Sequence, residues 1–153
     1  MSSYREAHSR LFPTGRKSAV GIAPDGKSGS LSQRWFVEAL PTNKELLIRP
    51  SFNYIKGQLD DIRADVLFLG IAGLAKADPD TEKTFFRETI EKTGAKLVIP
   101  IHWDNFFSPL DRPIKGMPHI IENTGVAFFR TAKYCELHDV NFLIQYPRTS
   151  IEI

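Results

Sequence analysis

The sequence contains a single cysteine, Cys135, which excludes an internal disulfide and any zinc site built from paired cysteines. Cys135 falls in a segment of helical character and is expected to be a small, partly buried residue. No apolar stretch approaches the roughly 20 residues that a membrane-spanning helix needs. The first residues, with Arg5, His8 and Arg10, lack the apolar core of a signal peptide. We therefore expect a cytoplasmic protein without a membrane partner.

The chain also has little net charge. Its formal charge is +2, and its basic residues are scattered and form no continuous run that could follow a phosphate backbone. Nucleic acid is therefore not an expected partner. A length of 153 residues with 42% hydrophobic side chains is sufficient for one hydrophobic core, so we treat residues 1–153 as a single domain.

Glycine-rich phosphate loops and nucleophile elbows are missing as well. Residues 70–73, Gly-Ile-Ala-Gly, lack the lysine and the following helix start that a phosphate cradle requires. The hypothesis of a doubly wound nucleotide-binding protein is therefore not supported by a phosphate loop, although the order of elements described below is compatible with that fold.

The first third of the chain predicts a β-hairpin and one more strand. Residues 19–22 and 31–40 have strand character on either side of the turn at 24–27. Residues 46–48 form a third short strand. Over residues 54–63 the apolar positions recur at spacings of four and three, which predicts a short amphipathic helix.

A β-α-β unit is predicted in the middle of the chain. Residues 65–69 are an almost continuous apolar strand, and Asp78 before Pro79 predicts a capped helix that ends at Gly94. Residues 96–101 form the next strand, which should be a parallel neighbour of the first, with a right-handed crossover. A helix around residues 123–137, with Val126, Phe129 and Ala132 at helical spacing, and a strand at 141–146 complete the chain. The fold class is α/β, or mixed α+β with a hairpin-rich first third.

The strand at residues 96–101 delivers His102 and Asp104 into a loop. A histidine and a carboxylate in this position are typical of metal and acid/base sites, although a histidine at a strand end often only hydrogen-bonds a neighbouring carbonyl group. Because functional groups of β-α-β units gather at the carboxyl ends of the strands, residues 70–73 and 102–104 should lie side by side. His8 is expected to be solvated on local grounds, and His119 and His138 are expected at the surface.

Other residues near these loops have more than one interpretation. Asp104 orients a neighbouring histidine, accepts a hydrogen bond from a group that itself binds a metal, or caps the following turn. Ser51 either contacts a bound metal or water, or is the N-cap of the predicted helix at 54–63. Gly70, Gly73 and Trp103 complete the candidate substrate loops.

Three segments together resemble the C-terminal half of hydrolases with the metallo-β-lactamase fold, in an uncharacterised, lactonase-like branch. They are Ser-Phe-Asn-Tyr at 51–54, Ala-Asp-Val-Leu-Phe-Leu-Gly-Ile-Ala-Gly-Leu at 64–74 and Val-Ile-Pro-Ile-His-Trp-Asp at 98–104. The resemblance runs from about Trp35 to the C-terminus. It implies an αββα sandwich with one or two metal ions, usually zinc, at one edge, where a metal-bound water attacks an ester, lactam or phosphodiester.

The same resemblance suggests metal ligands. His102 matches the last histidine ligand of the family, and His8, in an Ala-His-Ser string, matches another. The family's His-x-His-x-Asp-His motif is absent, and Ser51 stands where many relatives have a metal-bridging aspartate. Two candidate ligands are fewer than the three that catalytic zinc requires.

These observations lead to two hypotheses. In the first, the chain is about half of a metal-dependent hydrolase, is inactive or weakly active alone, and associates with a second copy or with a complementary N-terminal half to act on a small molecule. In the second, the chain is a non-catalytic module whose exposed sheet face binds a partner or another copy.

Overall fold

The computed structural model describes residues 35–39, 44–109, 111–146 and 149–150. Its five strands form one sheet in the order β1-β2-β3-β4-β5. They are β1 (Trp35–Ala39), β2 (Lys44–Arg49), β3 (Val66–Gly70), β4 (Leu97–Ile101) and β5 (Asn141–Phe142). β1 is antiparallel to β2, and β2 to β5 are parallel to one another. The fold is therefore mixed α/β, as predicted.

The β-α-β unit is confirmed. Helix α1 (Pro79–Phe86) follows β3 and continues through a π-helical turn, Arg87–Glu91, before β4 begins. The Asp78 carboxylate caps α1 by accepting hydrogen bonds from the N–H groups of Asp80 and Thr81, at 3.1 and 3.0 Å. Gly94, with φ of 67°, ends the helix in the left-handed conformation that glycine adopts at little cost.

The π-helical turn was not predicted, and it coincides with threonine side chains that bond back to the helix. Thr89 donates its hydroxyl to the Phe85 carbonyl at 2.7 Å, and Thr93 donates to the Thr89 carbonyl at 2.6 Å. Such bonds compete with the backbone ladder and bend helices. The turn directs Glu88 into a buried position against the 55–62 segment.

Both α-helices pack on the same face of the sheet. The strands contribute Leu47, Leu67, Leu69 and Val98 to this face, which lie in register across the sheet or two residues apart. Helix α1 with its π turn and helix α2 (Thr124–Leu137) complete the core with the residues Phe85, Phe86, Ile90, Ala127 and Cys135. Phe85, Phe86, Thr89 and Ile90 are all buried.

The opposite face of the sheet is apolar as well. Side chains alternate along a strand, so the residues between those of the helix-covered face point the other way. They are Leu46, Ile48, Val66, Phe68, Leu97 and Ile99. Val66 and Ile99 are almost fully buried, whereas Phe68 and Leu97 are partly exposed. We call these six residues the second sheet face.

The helix predicted over residues 54–63 is wrong. The segment is a series of turns, in which Gln58, Asp60 and Ile62 each donate a backbone hydrogen bond to the residue three positions earlier. Gly57 has φ of 77°, outside the helical region, and its N–H is bound by the buried Glu88 carboxylate rather than by a helical carbonyl. A long-range contact therefore overrides the local apolar spacing.

The remaining elements differ from prediction in their details. The strand expected at 141–146 is only Asn141–Phe142. Helix α2 faces the core with Ala127, Thr131 and Cys135, and Phe129 of the expected spacing is 66% exposed. Of the predicted hairpin, the strand at 31–40 is observed as β1, and residues 19–22 lie outside the described residues. Among the helices of the described residues, none is long and apolar enough to cross a membrane.

Candidate functional site

Three loops follow the parallel strands β2, β3 and β4 at one edge of the sheet. Arg49, Leu69 and Pro100 are in register at this edge. Ile71, just after β3, donates its N–H to the Ile101 carbonyl at 3.1 Å. The loops at 70–73 and 102–104 are therefore adjacent, as predicted from the β-α-β pattern.

Gly70 brings the β2 loop into the same group. A Cβ atom at Gly70 would lie 2.4 Å from the Pro50 carbonyl carbon and 2.6 Å from the Ser51 nitrogen, closer than real contacts allow. Only glycine therefore lets the ends of β2 and β3 approach so closely. Ser51, Gly70 and the histidine loop consequently lie in a row along one edge.

His102 has a backbone conformation that is uncommon for its residue type. Its φ is 55°, in the left-handed region, where a residue with a Cβ atom is strained by about 1 kcal/mol. The chain turns sharply there, and the side chain is exposed at the end of β4. The imidazole contacts the Phe106 ring, with the centroids 5.4 Å apart, and makes no hydrogen bond to another described residue. Its nitrogens are thus accessible to a ligand.

The backbone around His102 is fixed by its neighbours. Trp103 packs edge-on against Phe128 of α2, with the centroids 5.3 Å apart, and its carbonyl accepts the Thr124 hydroxyl at 3.3 Å. Asp104 pairs with Gly116 in an isolated antiparallel bridge. A rigid loop of this kind can hold a ligand-binding side chain in place.

The Asp104 side chain does not cap the turn that follows it. Asn105 caps the following turn instead, by accepting the Phe107 N–H at 3.2 Å. Within the described part of the chain, the Asp104 carboxylate makes no hydrogen bond to His102 or to any other residue. A supporting role for Asp104 beside a bound metal stays a prediction.

Ser51 does not cap a helix, because the segment that follows consists of turns. Its hydroxyl oxygen is inaccessible to solvent and has no hydrogen-bond partner among the described residues. A buried hydroxyl without a partner costs free energy on the order of 1–3 kcal/mol. Because solvent does not reach this oxygen, the hydroxyl is not open to a ligand in this conformation.

A cavity of about 330 Å³ opens beside His102. Phe68, Ile99 and Ile101 form its apolar wall, and His102 and Asp104 lie at the carboxyl end of β4. Gln145, Tyr146 and Thr149 line the side contributed by the segment after β5. The volume is at the small end of the range for ligand sites.

The described residues do not by themselves make a zinc site. Within 35–39, 44–109, 111–146 and 149–150, no three His, Cys, Asp or Glu side chains are grouped closely enough to hold a metal ion. His102 has Asp104 as its neighbouring candidate, and His8 lies outside the described residues. His119 and His138 are exposed, as predicted, and His138 lies 3.8 Å from Glu91.

Several features near the site were not found from the sequence. The segment after β5 brings Gln145 and Tyr146 to the cavity. The loop after β4 brings Phe106 against His102. Glu122 is buried and accepts the Ala75 N–H at 3.0 Å, which ties the loop before α2 to the loop after β3. Apart from the contact between His102 and Phe106, these contacts join residues about forty positions apart or more, and no local pattern predicts them.

Comparisons with known proteins add no assignment: no family model matches the chain, and no match was found among curated proteins or solved structures.

Proposed function

We propose that this chain is one half of a metal-dependent hydrolase of the metallo-β-lactamase fold, which cleaves an ester, lactone or phosphodiester. The observation that carries the proposal is the position of His102. Its exposed imidazole lies at the carboxyl edge of parallel strands, beside a cavity and in line with the loops that begin at Ser51 and Gly70. Edges of this kind are where α/β proteins place ligand and catalytic groups.

The proposal requires further ligands. Catalytic zinc takes three protein ligands and a water molecule, and the described edge contributes His102 with Asp104 as a neighbour. In the proposal, residues of another segment complete the set; His8, a complementary half or a second copy can each supply them. The chain alone is accordingly expected to be inactive or weakly active.

The second sheet face supports the association that this proposal needs. Parallel sheets are normally covered on both faces, and here both α-helices of the described part of the chain occupy one face. The other face presents Phe68 and Leu97 partly exposed to solvent. A second sheet packed on it would bury these side chains and produce the two-sheet core of a sandwich.

Elemental analysis of protein purified without chelators or a histidine tag tests the proposal. We expect about one zinc, iron or manganese ion per chain or per dimer. His102→Ala should lose it, and the matched control His119→Ala, which removes an exposed histidine elsewhere, should retain it. Metal that is retained in His102→Ala, or lost equally in both variants, contradicts the proposal.

A second candidate function is a non-catalytic module that binds a partner or another copy through the second sheet face. The absence of a three-ligand group among the described residues favours it. It predicts association in sedimentation experiments, which persists in His102→Ala and does not depend on metal. Dissociation on addition of a chelator would instead favour the hydrolase.

A cytoplasmic location belongs to the same proposal. Cys135 is a free, fully buried thiol, which is compatible with a reducing compartment.

A further inference from the structure

The chain leaves the sheet after β5 at a position that Pro100 determines. β5 ends one residue before Leu143, and Leu143 donates its N–H to the Val98 carbonyl at 3.1 Å. In a parallel ladder, the Leu143 carbonyl would next accept the N–H of the residue two positions after Val98. That residue is Pro100, which has no N–H. The ladder therefore stops, although the sequence of residues 141–146 predicts a strand.

The segment released from the ladder lies over the second sheet face. We call residues 143–146, Leu-Ile-Gln-Tyr, the strap. Gln145 and Tyr146 line one side of the cavity, and Phe68 and Ile99 of the second sheet face line another. Ile99 is only 1% exposed, although both α-helices of the described residues pack on the opposite face. The chain itself therefore covers the carboxyl end of the second sheet face, and the strap is part of that cover.

The strap is held by few contacts. The Tyr146 hydroxyl accepts the Ile114 N–H at 3.2 Å, and the Tyr146 carbonyl accepts the Thr149 N–H, also at 3.2 Å. The Gln145 side chain donates to the Thr149 carbonyl at 2.8 Å. Of these three bonds, only the one to Ile114 joins the strap to a distant segment. The three apolar side chains of the strap are 37%, 45% and 50% exposed. Segments with so little buried apolar surface open at a low cost in free energy.

We propose that the strap is an autoinhibitory element, which in its closed position prevents a second copy of this chain from packing its own second sheet face on this one. Two packed sheets lie about 10 Å apart, and their side chains fill the space between them. The Tyr146 ring beside Phe68 occupies part of that space. The strap and a second sheet therefore exclude each other, and association requires the strap to open.

A second copy is the occupant that the composition of the face favours. All six residues of the second sheet face are apolar, so two copies that meet there bury no charge. Identical faces related by a twofold axis also form a self-complementary interface. The inference rests on the association that the proposed function and the second candidate function both use, and it does not depend on a metal.

The strap changes the affinity between copies without contributing a contact to the interface. When the binding-competent state is only fractionally populated, the apparent affinity falls by that fraction. A substitution that opens the strap should therefore strengthen association, whereas the loss of an exposed aromatic ring would ordinarily weaken it or leave it unchanged.

Sedimentation velocity over a concentration series tests the inference on the protein as purified. Tyr146→Ala removes both the ring and the hydroxyl that binds Ile114, and we expect the dimer dissociation constant to fall at least about fivefold. Tyr146→Phe keeps the ring and removes the hydroxyl, so the constant should fall about twofold. The matched control is Phe129→Ala, which removes a 66% exposed ring from α2 and should leave the constant unchanged.

Two further measurements locate the effect. Amide hydrogen exchange at Ile114 should be faster in both Tyr146 variants than in the wild type or in Phe129→Ala. Phe68→Thr, which removes an apolar ring from the second sheet face, should reverse the gain when it is combined with Tyr146→Ala. The inference is overturned if Tyr146→Ala does not strengthen association, if Phe129→Ala strengthens it equally, or if Phe68→Thr does not reverse it.

The outcomes are distinct from those that test the proposed function. Stronger association of the Tyr146 variants in a protein that takes up no metal supports the strap and contradicts the hydrolase. Metal bound through His102, together with the same dimer dissociation constant in the wild type and the Tyr146 variants, overturns the strap and leaves the hydrolase standing. Protein that stays monomeric in the wild type and in every variant overturns the strap as well.

Discussion

The buried Glu88 carboxylate accepts the Gly57 N–H at 2.9 Å and also lies 2.8 Å from the Lys92 ammonium group. Lys92 in turn pairs with Asp60. Glu88 and Lys92 thereby connect the π-helical turn before β4 to the turns that follow β2. The contact explains why residues 54–63 keep their turns although their apolar spacing is helical.

Truncation of Glu88 should reduce stability. Glu88→Ala leaves the Gly57 N–H and the Lys92 ammonium without their partner, and we expect a loss of about 2 kcal/mol in the free energy of unfolding. Glu88→Gln keeps an acceptor for Gly57 and should lose less. Urea denaturation measures both. If the two variants are equally destabilised, the hydrogen bond to Gly57 contributes nothing.

The same residue predicts a pH dependence. Hydrogen bonding from Lys92, and then from the Gly57 N–H, holds the pKa of the Glu88 carboxyl below its ordinary value of 4.5. The unfolded state therefore binds a proton more readily than the folded state. The resulting stability is fully present above the unfolded pKa and is lost as the pH falls through the folded pKa.

Urea denaturation from about pH 7 down to pH 3 checks this sign. The difference in unfolding free energy between the wild type and Glu88→Gln should be constant near neutrality and should shrink below the unfolded pKa. A difference that grows with acid contradicts the assigned contacts. The pKa of the Asp78 carboxyl is also lowered, by its hydrogen bonds with Thr81. Because Asp78 is present in both the wild type and Glu88→Gln, its contribution cancels from the difference between them.

Gly70 should be intolerant of a side chain. Gly70→Ala places a Cβ atom 2.4 Å from the Pro50 backbone, so the ends of β2 and β3 must separate, at a cost of about 2–3 kcal/mol. The matched control is Gly125→Ala near the start of α2, where the nearest atom is 3.5 Å away. That change should stabilise the helix by about 0.5 kcal/mol. Thermal unfolding distinguishes the two, and similar midpoints would contradict the close approach.

A glycine at position 102 should give a more stable protein than an alanine there. At φ of 55° glycine avoids the steric strain that any Cβ atom suffers. We expect His102→Gly to be more stable than His102→Ala by about 0.5–1 kcal/mol, after allowance for the greater freedom of glycine in the unfolded chain. Denaturant unfolding of both variants measures it. If alanine is the more stable, His102 does not occupy the left-handed region.

The sequence predicted the fold class because the central elements are locally specified. The apolar strands β3 and β4, the Asp78 cap and Gly94 can each be recognised from a few neighbouring residues. A β-α-β unit in turn implies that its strands are parallel neighbours. The 54–63 segment could not be predicted in this way, because Glu88 lies about thirty positions away. Helix α2 was placed correctly, but its buried side was not, since Phe129 is exposed and the small residue Ala127 is buried.

The candidate site was predictable in its location and only partly in its composition. His102, Gly70 and Ser51 lie at one edge, as the strand order implies. The left-handed conformation of His102, the unpartnered Ser51 hydroxyl and the position of Tyr146 beside the cavity all depend on contacts between distant segments. Local patterns contain no information on such contacts, and the predicted ligand His8 lies outside the described residues.

The most direct measurement is a zinc titration followed through the imidazole signals of the four histidines by NMR. The proposed function predicts that the His102 signals change first and saturate at no more than one zinc ion per chain, while His119 and His138 remain unchanged. Their assignment comes from the corresponding His→Ala variants. If His102 does not respond, or responds only together with His119 and His138, the proposal that His102 is a metal ligand is contradicted.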